Sequence, residues 1–129
     1  MLAAGSLFLR SDAWFEDYWR TGSVVAVQEA LRPGDRVFIP DRFSDWMLFK
    51  IPELRGRIAY DVRFEIYDKT FFARLGEYNW ERGDWKSFAN GYRIVVVDET
   101  NRSHTADFLK EPGAHVIFRS DEITVIERR

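Results

Sequence analysis

A small three-layer α/β domain, with a Rossmann-like doubly wound sheet, is the fold class this sequence predicts. Three observations predict it. Short apolar runs bounded by turn residues recur along the chain, segments with helical spacing of apolar residues alternate with them, and one run, Arg93–Val97 (RIVVV), is β-branched and apolar throughout. Strands alternating with helices imply βαβ units, whose crossovers are right-handed. The expected sheet is mostly parallel, in the order 2-1-3-4, with an antiparallel C-terminal strand at its edge.

The elements follow in order. Ser11–Arg20 is dense in aromatics and charges without a clean period, and reads as an arm packed on the domain. The domain proper spans 23–129, with 1–22 as an N-terminal arm. Ser23 is a candidate N-cap for a helix carrying Val24, Val27 and Leu31 on one face, stopped by Pro33-Gly34-Asp35. Arg36–Pro40 (RVFIP) is the first strand, apolar on both sides as a buried parallel strand requires. Ser44 is placed to cap a short helix that ends near Ile51, because Pro52 follows. Arg57–Asp61 (RIAYD) is the second strand. Asp68 caps a helix with Phe71, Phe72 and Leu75 on its apolar side, and Trp85–Asn90 forms a short helix closed by Gly91. Arg93–Val97 is the third strand, and a helix over 102–110 follows it. Ala114–Arg119 and Ile123–Arg128 flank Ser120-Asp121-Glu122 at hairpin spacing.

Composition narrows the function classes. The chain of 129 residues suits one domain, and its 46% hydrophobic and 16% aromatic content can build a core without staples. A net charge of −2 supplies no basic excess to neutralise phosphates, so nucleic acid is not an expected partner. There is no Cys, which excludes disulfides, thiolate metal sites and Cys nucleophiles. No run approaches the length of a bilayer span. The closest, Met1–Leu9, reads as a short buried strand or tail, as the stub of a preceding membrane helix, or as a poor signal peptide.

In open α/β sheets, ligands gather at the carboxyl ends of the strands. Asp41 follows the first strand, Asp61 and Glu65 the second, and Asp98 the third, with Arg63 between the second pair. In an extended stretch, alternation puts Asp61, Arg63 and Glu65 on one face. That row suits a polar ligand such as a sugar or a hydrated cation, or else it is a structural arginine network. The candidate ligand-binding residues are therefore Asp41, Asp61, Arg63, Glu65 and Asp98. No catalytic residue, cofactor or dedicated metal site is assigned. The turn after the first strand, Pro40-Asp41-Arg42-Phe43-Ser44-Asp45, lacks the glycines a pyrophosphate needs, and no GxxxxGK[ST] run or GxSxG elbow occurs. His104 and His115 read as surface or packing residues. Trp46 reads as core, while Trp14 and Trp19 in the arm are the better interface candidates.

Three pieces, Asp41-Arg42-Phe43-Ser44-Asp45-Trp46, Pro52-Glu53-Leu54-Arg55-Gly56-Arg57 and Tyr60-Asp61-Val62-Arg63-Phe64-Glu65, carry a resemblance. Together they resemble the soluble carboxy-terminal region of bacterial multi-spanning membrane proteins related to dolichyl-phosphate-mannose–protein mannosyltransferases. The resemblance implies an extracytoplasmic domain whose partners are the transmembrane portion of its own parent protein and a glycan or lipid-linked sugar. The catalytic acid of such transferases has no counterpart here, so the expected function is a non-catalytic accessory or ligand-sensing domain of a glycosyltransferase-like protein. The competing expectation is a small autonomous Mg²⁺-dependent hydrolase in which Asp41, Asp61 and Asp98 share one ion.

Overall fold

A computed structural model describes residues 21–61, 63–100 and 103–129. The arm with Trp14 and Trp19, and the Met1–Leu9 run, lie outside the described residues. The chain runs α1 (Gly22–Ala30), β1 (Val37–Phe38), α2 (Asp41–Lys50), α3 (Lys69–Trp80), β2 (Ile94–Asp98), α4 (Thr105–Phe108), β3 (His115–Arg119) and β4 (Ile123–Glu127). Short 3₁₀ turns at Pro52–Leu54, Phe64–Ile66 and Trp85–Ala89 fill the connections.

The strands form one sheet in the order β1-β2-β4-β3. β1 is parallel to β2, with Val37 opposite Ile94, whereas β2–β4 and β4–β3 are antiparallel. The expected mostly parallel sheet of order 2-1-3-4 is therefore wrong, and the C-terminal strand is internal rather than at the edge. Burial accounts for the difference. β4 reads ITVIE and buries Ile123 through Ile126, so it needs a strand on each side. β3 reads HVIFR, with charged or polar ends that stay exposed, and it takes the edge with a bulge between Val116 and Phe118. The tight turn at Ser120 holds the pair antiparallel, with Ser120 N–H donating to the Ile123 carbonyl at 2.9 Å. Of the expected second strand, Arg57–Asp61, only a parallel bridge between Ile58 and Val37 remains.

Alternation along β2 divides the core into two clusters. Ile94 and Val96 join Val24 and Val27 of α1 and Phe43 and Met47 of α2 on one face. Val95 and Val97 join Phe38, Tyr60, Tyr78 and Phe108 on the other, under α3, the Trp85 turn and α4. On the first face α1 lies so close to the edge strand that a Cβ on Gly22 would stand 2.5 Å from the Phe118 ring, so only glycine allows this approach.

Helix starts differ from expectation in two places. Asp41, not Ser44, opens α2 behind Pro40, whose φ of −58° suits a helix entry. Ser44 is instead buried inside the first turn, its hydroxyl donating to the Asp41 carbonyl at 3.1 Å. Thr21, not Ser23, occupies the cap position of α1, and Ser23 is buried. The helix expected over 102–110 is reduced to Thr105–Phe108 among the described residues. Asp68 does cap α3, its Oδ1 accepting from Phe71 N–H at 2.8 Å. Asp68→Ala is expected to cost about 1 kcal/mol, measured as a lower urea midpoint with an unchanged slope. The far end of α3 closes on Glu81 at φ 50°, a left-handed conformation more usual for glycine.

Candidate functional site

The expected acidic crevice resolves into two separate places. The divider is Tyr60. Adjacent residues of an extended backbone point to opposite sides, and Tyr60 sends its ring into the core cluster beside Phe38, 5.9 Å between centroids. Asp61 faces the other way, toward an open groove.

That groove encloses about 650 Å³ and is walled by Asp45, Leu48 and Phe49 of α2, by Arg55, Gly56 and Ile58, and by Asp61, Arg63 and Tyr67. Asp61 is only 5% exposed, yet its carboxylate is well paired. Arg63 donates to Oδ2 from Nη2 at 2.6 Å and from Nε at 3.0 Å, while Arg63 backbone N–H donates to Oδ1 at 2.9 Å. These bonds from Arg63 hold the Asp61 carboxyl below the usual carboxylate range, against the opposing effect of burial. The same pairing raises the Arg63 guanidinium further above its ordinary value, so both groups stay charged at neutral pH. Tyr67 is fixed by stacking on Phe71 at 4.3 Å, and its hydroxyl accepts from Asp61 N–H at 3.2 Å. The Phe49 ring on the rim is 79% exposed, leaving its face available to a ligand.

Glu65 does not join this row. The Asp61 carboxylate captures the Arg63 amide two residues on, and the chain then coils into the 3₁₀ turn Phe64–Ile66. The alternation expected for an extended strand is lost, and Glu65 lies exposed, lining neither the groove nor the second cavity.

Asp41 and Asp98 meet at the second place, a closed cavity of about 80 Å³ at the carboxyl ends of β1 and β2. Tyr60, Tyr78 and His104 complete its wall. Asp98 Oδ1 accepts from Thr100 N–H at 2.9 Å, from the Thr100 hydroxyl at 2.6 Å and from Arg42 Nη1 at 3.3 Å. Arg42 also bonds the Thr100 hydroxyl and reaches Glu122 at 3.6 Å. His104 is buried, 5% exposed, with Nδ1 3.0 Å from Glu81 Oε1 and its ring between Tyr78 and Trp85. Sequence reasoning gave His104 no partner, because Glu81 reaches it only through the left-handed end of α3. Tyr60 and Tyr78 were also missed as wall residues. Alternation opposite Asp61 was the available signal for Tyr60.

Among the described residues, no three His, Asp or Glu side chains are placed to hold a metal ion together. Asp61 lies on the far side of Tyr60 from Asp41 and Asp98, so the three carboxylates expected to share Mg²⁺ do not converge. No helix among the described residues is long and apolar enough to cross a membrane.

Fold and site together define a mixed α/β domain with an open, charged groove on one side of Tyr60 and a closed polar cavity on the other. Comparison with protein-family models, with curated proteins and with solved structures found no match for the chain.

Proposed function

We propose that the chain is a non-catalytic accessory or ligand-sensing domain of a membrane-bound glycosyltransferase-like protein, acting on its extracytoplasmic face. Its groove receives a hydroxyl-rich ligand, a glycan or the sugar of a lipid-linked donor. One observation carries this reading. The three sequence pieces that resemble the mannosyltransferase-related proteins are spread from Asp41 to Glu65, yet each contributes to the same groove: Asp45 from the first, Arg55 and Gly56 from the second, Asp61 and Arg63 from the third.

The chemistry of the groove supports binding over turnover. General acid–base catalysis needs a group poised near the working pH, whereas the Asp61–Arg63 pair is driven to permanent charge. A fixed carboxylate beside a half-open guanidinium offers acceptors and donors to vicinal hydroxyls, and the exposed Phe49 ring offers a flat apolar face for a sugar ring.

An NMR titration of the whole chain with soluble glycans and with short-chain polyprenyl-phosphate sugars tests the proposal. Saturable shifts are expected at Phe49, Asp61, Arg63 and Tyr67, and Arg63→Met should weaken binding about tenfold by removing charge-assisted donors. Shifts that bypass these residues, or an unchanged affinity in Arg63→Met, would remove the ligand-binding role.

A further inference from the structure

β1 and β2 lie side by side and parallel, but the chain leaves them toward opposite faces of the sheet. After β1 it enters α2, whose Phe43 and Met47 pack with Val37 and Ile94. After β2 it enters α4, whose Phe108 packs with Phe38 and Val97 on the other side. Two diverging connections leave a crevice outside the strand ends, the place where open α/β sheets hold their ligands. The cavity of about 80 Å³ between Asp41 and Asp98 occupies that crevice.

We propose that this cavity is a second binding site, independent of the groove, and that it takes a small protonated amine through its ammonium group. Tyr78 points to a ligand directly. It lines the cavity, is 3% exposed, and its hydroxyl has no hydrogen-bond partner among the described residues. A buried hydroxyl left unpaired is costly, and such groups in folded proteins call for a partner.

The charge of the partner follows from the wall. Two carboxylates face the cavity and no Lys or Arg lines it, although Arg42 reaches Asp98 from beside it. His104 adds no positive charge of its own choosing: an ionised Glu81 carboxylate can only accept, so the Nδ1 proton of His104 is committed to it. The walls include the rings of Tyr60 and Tyr78, and aromatic faces attract organic cations. Size excludes larger ligands, since the space holds only about two or three waters. A hard divalent ion needs six or more oxygen ligands, and no three acidic or imidazole groups among the described residues are grouped to begin such a shell.

Methylammonium chloride is the probe, with methanol as the neutral isostere and potassium chloride as the ionic-strength control. Amide and aromatic NMR spectra of the whole chain are expected to show saturable shifts at Tyr60, Tyr78 and His104 with methylammonium alone. Tyr78→Phe keeps the ring and removes only the unpaired hydroxyl, so its melting temperature should equal or exceed that of the parent. Its methylammonium affinity should fall about tenfold. Asp41→Asn provides a second variant of nearly unchanged shape and is expected to weaken binding similarly. Absence of saturable shifts, an equal response to methanol or potassium, or full affinity in both variants would overturn the proposal and leave a cavity that holds water only.

Discussion

Phe38→Ala is expected to lower the unfolding free energy by about 3–5 kcal/mol, the range for emptying a fully buried aromatic position. Phe38 is 0% exposed, and its ring meets Tyr78 at 4.8 Å, Phe88 and Tyr92 at 5.6 Å, and Tyr60 at 5.9 Å. The upper part of the range applies for a structural reason. β1 is paired over Val37 and Phe38 alone, so its position depends on side-chain packing more than on a long ladder of hydrogen bonds. The surrounding rings are held by one another and have little freedom to collapse into the gap. Phe38→Leu, which keeps most of the volume, should cost about 1–1.5 kcal/mol. Urea denaturation of both variants checks the pair. A loss below about 1 kcal/mol for alanine would mean that the site relaxes fully, and the aromatic cluster would then not be the anchor of β1. Because Tyr60 and Tyr78 lean on Phe38, the alanine variant should also blur the NMR signals of the strand-end cavity.

Local signals were well written in the sequence, and pairing choices were not. RIVVV reads as a buried strand from its composition, Asp68 as a cap from its position, and Ser120-Asp121-Glu122 as a hairpin turn from its length. Strand order depends on a competition that no single segment announces. Both C-terminal strands can pair with β2, and the outcome rests on β4 being apolar to both sides while β3 ends in His115 and Arg119. Arg57–Asp61 has strand composition, but Arg57 is tied to the Asp35 carbonyl at 2.6 Å and the Arg32 carbonyl at 2.8 Å, and Asp61 turns the chain at the other end. Only Ile58 is left to pair.

The candidate site shows the same division. Asp61 and Arg63 were legible as partners because two residues of separation suffices for an Asx turn. The strand-end rule also placed Asp41 near Asp98. That Asp61 is walled off from both follows from the direction of the Tyr60 ring, which is set by tertiary packing around Phe38. Glu65 was misplaced for a local reason, since its position assumed an extended chain where a 3₁₀ turn forms.

Arg93→Ala is expected to be the most damaging change of a charged residue, at about 3 kcal/mol, because it strips partners from carboxylates that stay largely buried. The Arg93 guanidinium donates to Asp35 Oδ2 from Nη2 at 2.5 Å and from Nε at 3.1 Å, and it also bonds Glu127 and the Ala30 carbonyl. It thereby joins the end of α1, the turn before β1, and the adjoining ends of β2 and β4. Side-chain exposures of 14% for Arg93 and 15% for Asp35 put the pair well above a surface ion pair in strength. The pairing also fixes a pH dependence. Hydrogen bonds from Arg93 are the main cause holding the Asp35 carboxyl below its ordinary value of 3.8. A carboxyl depressed on folding contributes its full stabilisation above the unfolded value and loses it as pH falls through the lower folded value. Urea melts at neutral pH should therefore separate the parent from Asp35→Asn clearly, and the separation should shrink as the pH drops below about 4. In an Arg93→Ala background the Asp35→Asn change should have far less effect at any pH, since the two side chains act as one unit. A pH-independent gap, or additive losses from the two substitutions, would show that Asp35 and Arg93 stabilise the fold separately and that the junction of α1, β2 and β4 is held by packing alone.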